Sequence, residues 1–77
     1  MRIVPLCYRV VKVQASDILW IRSGRNVKSE RVGAIPSNGT EIDIIGPEKF
    51  VREIRFVPIK YKIIVGWVSR RYLEEGC

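Results

Sequence analysis

Two tryptophans, three tyrosines and two phenylalanines supply the aromatic surface of this 77-residue chain. Several of them stand near arginine: Trp20 is two residues from Arg22, and Trp67 is followed closely by Arg70, Arg71 and Tyr72. An aromatic face beside a guanidinium suits stacking on a sugar, a base or a peptide, while the guanidinium pairs with carboxylate or phosphate. Trp and Arg are also enriched at the few positions that carry most interface energy. Trp20, Arg22, Phe56, Trp67, Arg70, Arg71 and Tyr72 are therefore the candidate ligand-binding residues.

Catalytic chemistry has little to work with. The chain contains no histidine, the side chain most used as a general base near neutral pH and as a metal ligand. Cys7 has no base of the expected type, Ser69 lacks a nucleophile elbow, and Glu74 and Glu75 are a charge pair in the tail. The expectation is a noncatalytic protein with no catalytic residues, no cofactor and no metal. Cys7 and Cys77 lie at almost opposite ends and cannot form a Cys-x-x-Cys redox or zinc signature. Either they pair with each other or they have no joint role. A bridge would close a loop of about 70 residues, worth roughly 4 kcal/mol in the chain-entropy model, and would imply an oxidising compartment.

A chain this short makes one domain, residues 1–77, with a small core and little depth for an enclosed pocket. Lys and Arg number 14 against 8 Asp and Glu, a formal net charge of +6, which favours polyanionic partners. The basic residues are spread along the whole chain, and no nucleic-acid-binding signature accompanies them. "MRIVPLC" is too short for a signal peptide with a full apolar core, and no run reaches the length of a membrane helix.

Short β-branched runs recur between turn residues: "YRVVKV", "ILWIR", "RVGAI", "TEIDIIG", "FVPIKY" and "IIVGWVS". This spacing predicts an all-β domain of sandwich or barrel type. Period-2 alternation sends Leu19 and Ile21 to one side of "ILWIR" and Trp20 and Arg22 to the other, so Trp20 faces outward if the aliphatic pair is core. Ile42 and Ile44 alternate with Glu41 and Asp43, which reads the two carboxylates as solvated. Asn38-Gly39 suits a turn with positive φ, and Asn38-Gly39-Thr40 also matches a glycosylation sequon. Pro58 confines its strand to an edge or a bulge, and "PEKFVREI" reads as a long hairpin loop with room for a helical turn.

"ILWIRSGR", "RVGAIPSNGTEIDIIG" and "GWVSRRYL", in this order, resemble the three signature blocks of bacterial SH3-like domains. The resemblance runs from about Tyr8 to Leu73. It departs from the pattern at Trp20, where Asn is usual, at Arg25, where Pro is usual, at Phe56, where Trp is common, and in the longer, more charged loop over residues 47–55. The resemblance implies a small SH3-like barrel of five to six strands, a short helical turn near "SRRY", and adjacent termini, which favours pairing of Cys7 with Cys77. It also implies export to the periplasm or beyond, and a binding module for a cell-envelope or peptidoglycan component or for a partner protein. By similarity to the aromatic shelf of eukaryotic SH3 domains, Tyr72 and Phe56 fall at shelf positions. The competing role for Trp67 and Tyr72 is to plug the barrel mouth under arginine stems. The alternative function is a cytoplasmic SH3-like barrel that binds nucleic acid through its basic surface.

Overall fold

The computed structural model describes residues 7–24 and 29–76. The fold is all-β, built from β1 (Tyr8–Val10), β2 (Ile18–Arg22), β3 (Arg31–Pro36), β4 (Asp43–Ile44), β5 (Lys49–Val51), β6 (Ile54–Tyr61), β7 (Ile64–Ser69) and β8 (Leu73–Glu75), with a 3₁₀ turn over Arg70–Tyr72. Six strands form one antiparallel sheet in the order β3-β2-β7-β6-β4, with β5 also paired to β6. β1 and β8 form a second, two-stranded sheet. The larger sheet does not close on itself. The two are tied together by an isolated bridge between Tyr8 and Ile42 and by the Val10 N–H donating to the Gly39 carbonyl at 2.9 Å.

Alternation along the strands builds the core. Leu19 and Ile21 from β2, Ile35 from β3, Val57, Ile59 and Tyr61 from β6 and Val68 from β7 point inward, and Val10, Ile42 and Leu73 close the cluster. Trp20 faces the other way, as the period predicts. Glu41 and Asp43 are exposed on either side of the fully buried Ile42.

Gly66 fixes how closely β2 and β7 can approach. A Cβ there would lie 2.7 Å from the Arg22 carbonyl oxygen and against the Ile21 side chain, so a side chain at this position would force the strands apart.

Three local expectations are corrected. Pro58 lies in an interior strand, because β6 is flanked by β7 on one side and by β5 and β4 on the other. Its carbonyl accepts from Ile45 N–H at 2.9 Å. The N and C=O of one strand residue point to the same side, so the missing donor of Pro58 faces the break between β4 and β5 and costs no bond to β7. The "SNGT" turn closes through Gly39 N–H donating to the Pro36 carbonyl at 2.8 Å, and Gly39 does not have positive φ. Glycine is needed there because a Cβ would collide with Ile35 and lie 3.1 Å from the Pro36 oxygen. The segment read as a long hairpin loop with room for a helical turn is instead paired strand up to a two-residue turn, the β5–β6 hairpin, in register Val51 opposite Ile54. Its two turn residues, Arg52 and Glu53, take φ of 49° and 67°, the backbone of a type I′ turn made without Asn or Gly. The strand count also exceeds the five to six expected from the resemblance.

Candidate functional site

Sheet register assembles the site. Arg22 stands opposite Trp67, which stands opposite Pro58. Two residues further along the same antiparallel strands, Trp20 comes beside Ser69, which pairs with Phe56. These residues lie on the face opposite the core, since the core side of β6 is given to Val57, Ile59 and Tyr61. Phe56 is only 5% exposed, yet it is not part of the core cluster. It is buried on the outer face, beneath a cleft.

The segment between β1 and β2 forms the far wall of that cleft. It leaves β1 through Val11, whose N–H donates to the Tyr72 carbonyl at 2.8 Å, and turns back where Asp17 N–H donates to the Gln14 carbonyl at 2.8 Å. Asp17 Oδ1 accepts from Ile18 N–H at 2.8 Å, which fixes the entry into β2. The resulting open cleft has a volume of about 520 Å³ and is lined by Lys12, Val13, Gln14, Asp17, Ile18, Leu19, Trp20, Arg22, Phe56, Val68, Ser69 and Tyr72. Four of the residues singled out from the sequence, Trp20, Arg22, Phe56 and Tyr72, therefore meet in one depression.

The other three are not among its lining residues. Trp67 is half-buried one row along, between Arg22 and Pro58. Arg70 places its guanidinium carbon 5.2 Å from the Tyr8 ring centroid and donates from Nη1 to the Leu73 carbonyl at 2.6 Å. Both contacts tie the 3₁₀ turn to the small sheet, which gives Arg70 a structural task. Arg71 is exposed and lies over the Tyr72 ring at 5.4 Å from its centroid.

Arg31 is a member of the site that the sequence reading missed. Its guanidinium carbon stands 4.5 Å from the Trp20 ring centroid, a cation–π stack over a ring that is 37% exposed. The register between β2 and β3 shifts at Ile21 and Arg22, so that Arg22 is opposite Arg31 while Trp20 is opposite Ala34. No local pattern in the sequence announces that shift. Arg22 itself is half-buried and donates from Nη1 to the Ser29 carbonyl at 3.1 Å.

A second open depression of about 720 Å³ lies at the other end of the molecule, among Cys7, the Pro36–Gly39 turn, Glu41, Asp43, Lys60 and Lys62. Its charges are mixed and it contains none of the candidate aromatics; its one aromatic ring is that of Tyr61, under Lys62 at 5.5 Å. Gly76 N–H donates to the Cys7 carbonyl at 2.8 Å, so the small sheet's pairing continues to the last described residue. Cys77 and Arg25 lie outside the described residues. Among the described residues no group of His, Cys, Asp and Glu could hold a metal ion, and no helix is long and apolar enough to cross a membrane. Comparison with protein-family models, curated proteins and solved structures gives no match.

Proposed function

We propose that this chain is a noncatalytic binding module with an SH3-like barrel of the bacterial type, exported, and recognising a component of the cell envelope or a partner protein through the cleft between β2 and the 3₁₀ turn. The observation that carries this reading is the convergence of Trp20, Arg22, Phe56 and Tyr72, from separate stretches of chain, on one open depression. Aromatic edges with a small number of polar groups are the usual make-up of a recognition surface. The barrel assignment draws on the three sequence blocks, on the 3₁₀ turn over Arg70–Tyr72, and on the pairing of the first and last described strands.

Export draws on the cysteines. In the β1–β8 ladder Tyr8 is opposite Glu75, and Gly76 N–H donates to the Cys7 carbonyl at 2.8 Å, so Cys7 lies beside the residue that precedes Cys77 in the sequence. We assign a Cys7–Cys77 bridge on that basis. The nucleic-acid reading rests on the net charge of +6 and finds less support. The exposed cations are spread along the β5–β6–β7 region, from Lys49, Arg52 and Arg55 near the β5–β6 turn to Lys60 and Lys62 at the other end of β6.

The test is titration of the folded protein with soluble peptidoglycan fragments and with candidate envelope proteins, comparing wild type with Trp20→Ala. The reading expects the variant to melt like wild type and to bind the recognised ligand about tenfold or more weakly, the loss typical of an interface anchor. Unchanged affinity in a folded Trp20→Ala protein removes the cleft from the contact surface.

A further inference from the structure

The charge around the cleft narrows the ligand class, an inference that rests on the cleft being the contact surface. Lys12 and Arg22 line it, Arg31 lies over Trp20, and Arg71 lies over Tyr72. Asp17 is the one carboxylate among the described lining residues, and its Oδ1 already accepts from the Ile18 N–H. Arg22 uses one guanidinium nitrogen on the Ser29 carbonyl, and a guanidinium carries five N–H donors. Donors of positive charge therefore outnumber acceptors at the cleft.

The rings decide between a nucleic acid and a peptide. Binding successive bases requires open π-faces on which they stack. Here Arg31 already covers a face of Trp20, Arg71 covers a face of Tyr72, and Phe56 is buried to 5% exposure. What remains is a recess with apolar and polar walls and cations around it, which suits a side chain better than a base. A second copy of the chain is disfavoured as occupant, because it too carries a net charge of +6.

We propose that the cleft takes an acidic segment of a partner protein, with an apolar side chain seated among Trp20, Phe56 and Tyr72 and with flanking carboxylates held by Lys12, Arg22, Arg31 and Arg71. Charge-assisted pairs of this kind give specificity and speed of association as much as affinity.

Calorimetric titration of the full chain with three synthetic peptides tests this. One has Leu-Phe flanked on each side by three Glu, and the other two replace every Glu by Ser or by Lys. The acidic peptide is expected to bind about tenfold or more tightly than the Ser peptide, and to lose about fivefold between about 50 mM and about 300 mM salt. Lys12→Gln with Arg71→Gln, both at exposed positions, is expected to remove most of that preference in a protein that melts like wild type. Equal affinity for the Glu and Ser peptides overturns the charge assignment. If the acidic peptide fails while a peptidoglycan fragment binds in a Trp20-dependent way, the partner-protein segment is overturned and the cleft stands. Tighter binding of a single-stranded oligonucleotide than of the acidic peptide also overturns the proposal, and failure of all these probes removes both it and the cleft reading.

Discussion

Trp20 and Gly66 show how differently two residues of the same sheet depend on their surroundings. Trp20 is partly exposed, stacked by Arg31 and outside the core cluster, so its removal deletes contact surface without opening the core. Gly66 is buried with the Arg22 backbone against it. Gly66→Ala is expected to destabilise the fold by about 1–3 kcal/mol, the usual range for overpacking a tight site, visible as a lower urea midpoint; an unchanged midpoint would mean that β2 and β7 do not approach as described. Arg31→Ala, by contrast, is expected to leave the midpoint within about 0.5 kcal/mol while raising Trp20 exposure, read by acrylamide quenching in a Trp67→Phe background. Unaltered quenching would remove the stack. The outward direction of Trp20 was legible from period-2 alternation alone, whereas its partner was not, because the β2–β3 register shifts at Ile21 and Arg22.

At the scale of elements, the β5–β6 hairpin is the part of the fold whose sequence least suits its backbone. Arg52 and Glu53 both hold positive φ, a region that costs a non-glycine residue roughly 1 kcal/mol or more. The double substitution Arg52→Asn with Glu53→Gly, which installs the preferred residues of a type I′ turn, is expected to stabilise the protein by about 0.5–1 kcal/mol, measured as a rise in urea midpoint at constant slope. A fall in the midpoint would mean that the two side chains contribute more than their backbone costs. The hairpin escaped sequence reading for the same reason: turn chemistry is recognised by Asn and Gly, and neither is present at its tip. Pro58 misled in the opposite direction. It signals an edge only when both sides of its strand carry continuous ladders, and here the partner side is broken between β4 and β5. Phe56 was legible as a candidate, but the cleft it lines is assembled with residues from distant segments of the chain.

For the molecule as a whole, the pairing of the two ends sets a prediction about redox state. Joining Cys7 to Cys77 would close nearly the entire chain, and reduction is then expected to lower stability by roughly 4 kcal/mol, with a two-hydrogen mass difference between native and reduced protein. Two freely labelled thiols in protein purified under oxidising conditions would contradict the bridge and weaken the assignment of an exported protein. The all-β class and most strand positions could be read from recurring β-branched runs. The arrangement of sheets could not, because it follows from long-range pairings such as β1 with β8 and Tyr8 with Ile42.

If the outer-face cleft is where this protein meets its ligand, a bound ligand changes the surroundings of Trp20, Phe56 and Tyr72 first. The most direct measurement is a ¹H–¹⁵N chemical-shift map during titration with the acidic Leu-Phe peptide and, separately, with soluble peptidoglycan fragments. Shifts are expected to concentrate at residues 12–22, at Phe56 and at Ser69–Tyr72, including the Trp20 indole, with the Lys60–Lys62 end of the molecule unmoved. Shifts centred on the depression around Glu41, Asp43 and Lys62, or a Trp20 indole that stays fixed while a ligand binds, would contradict the cleft as the contact surface.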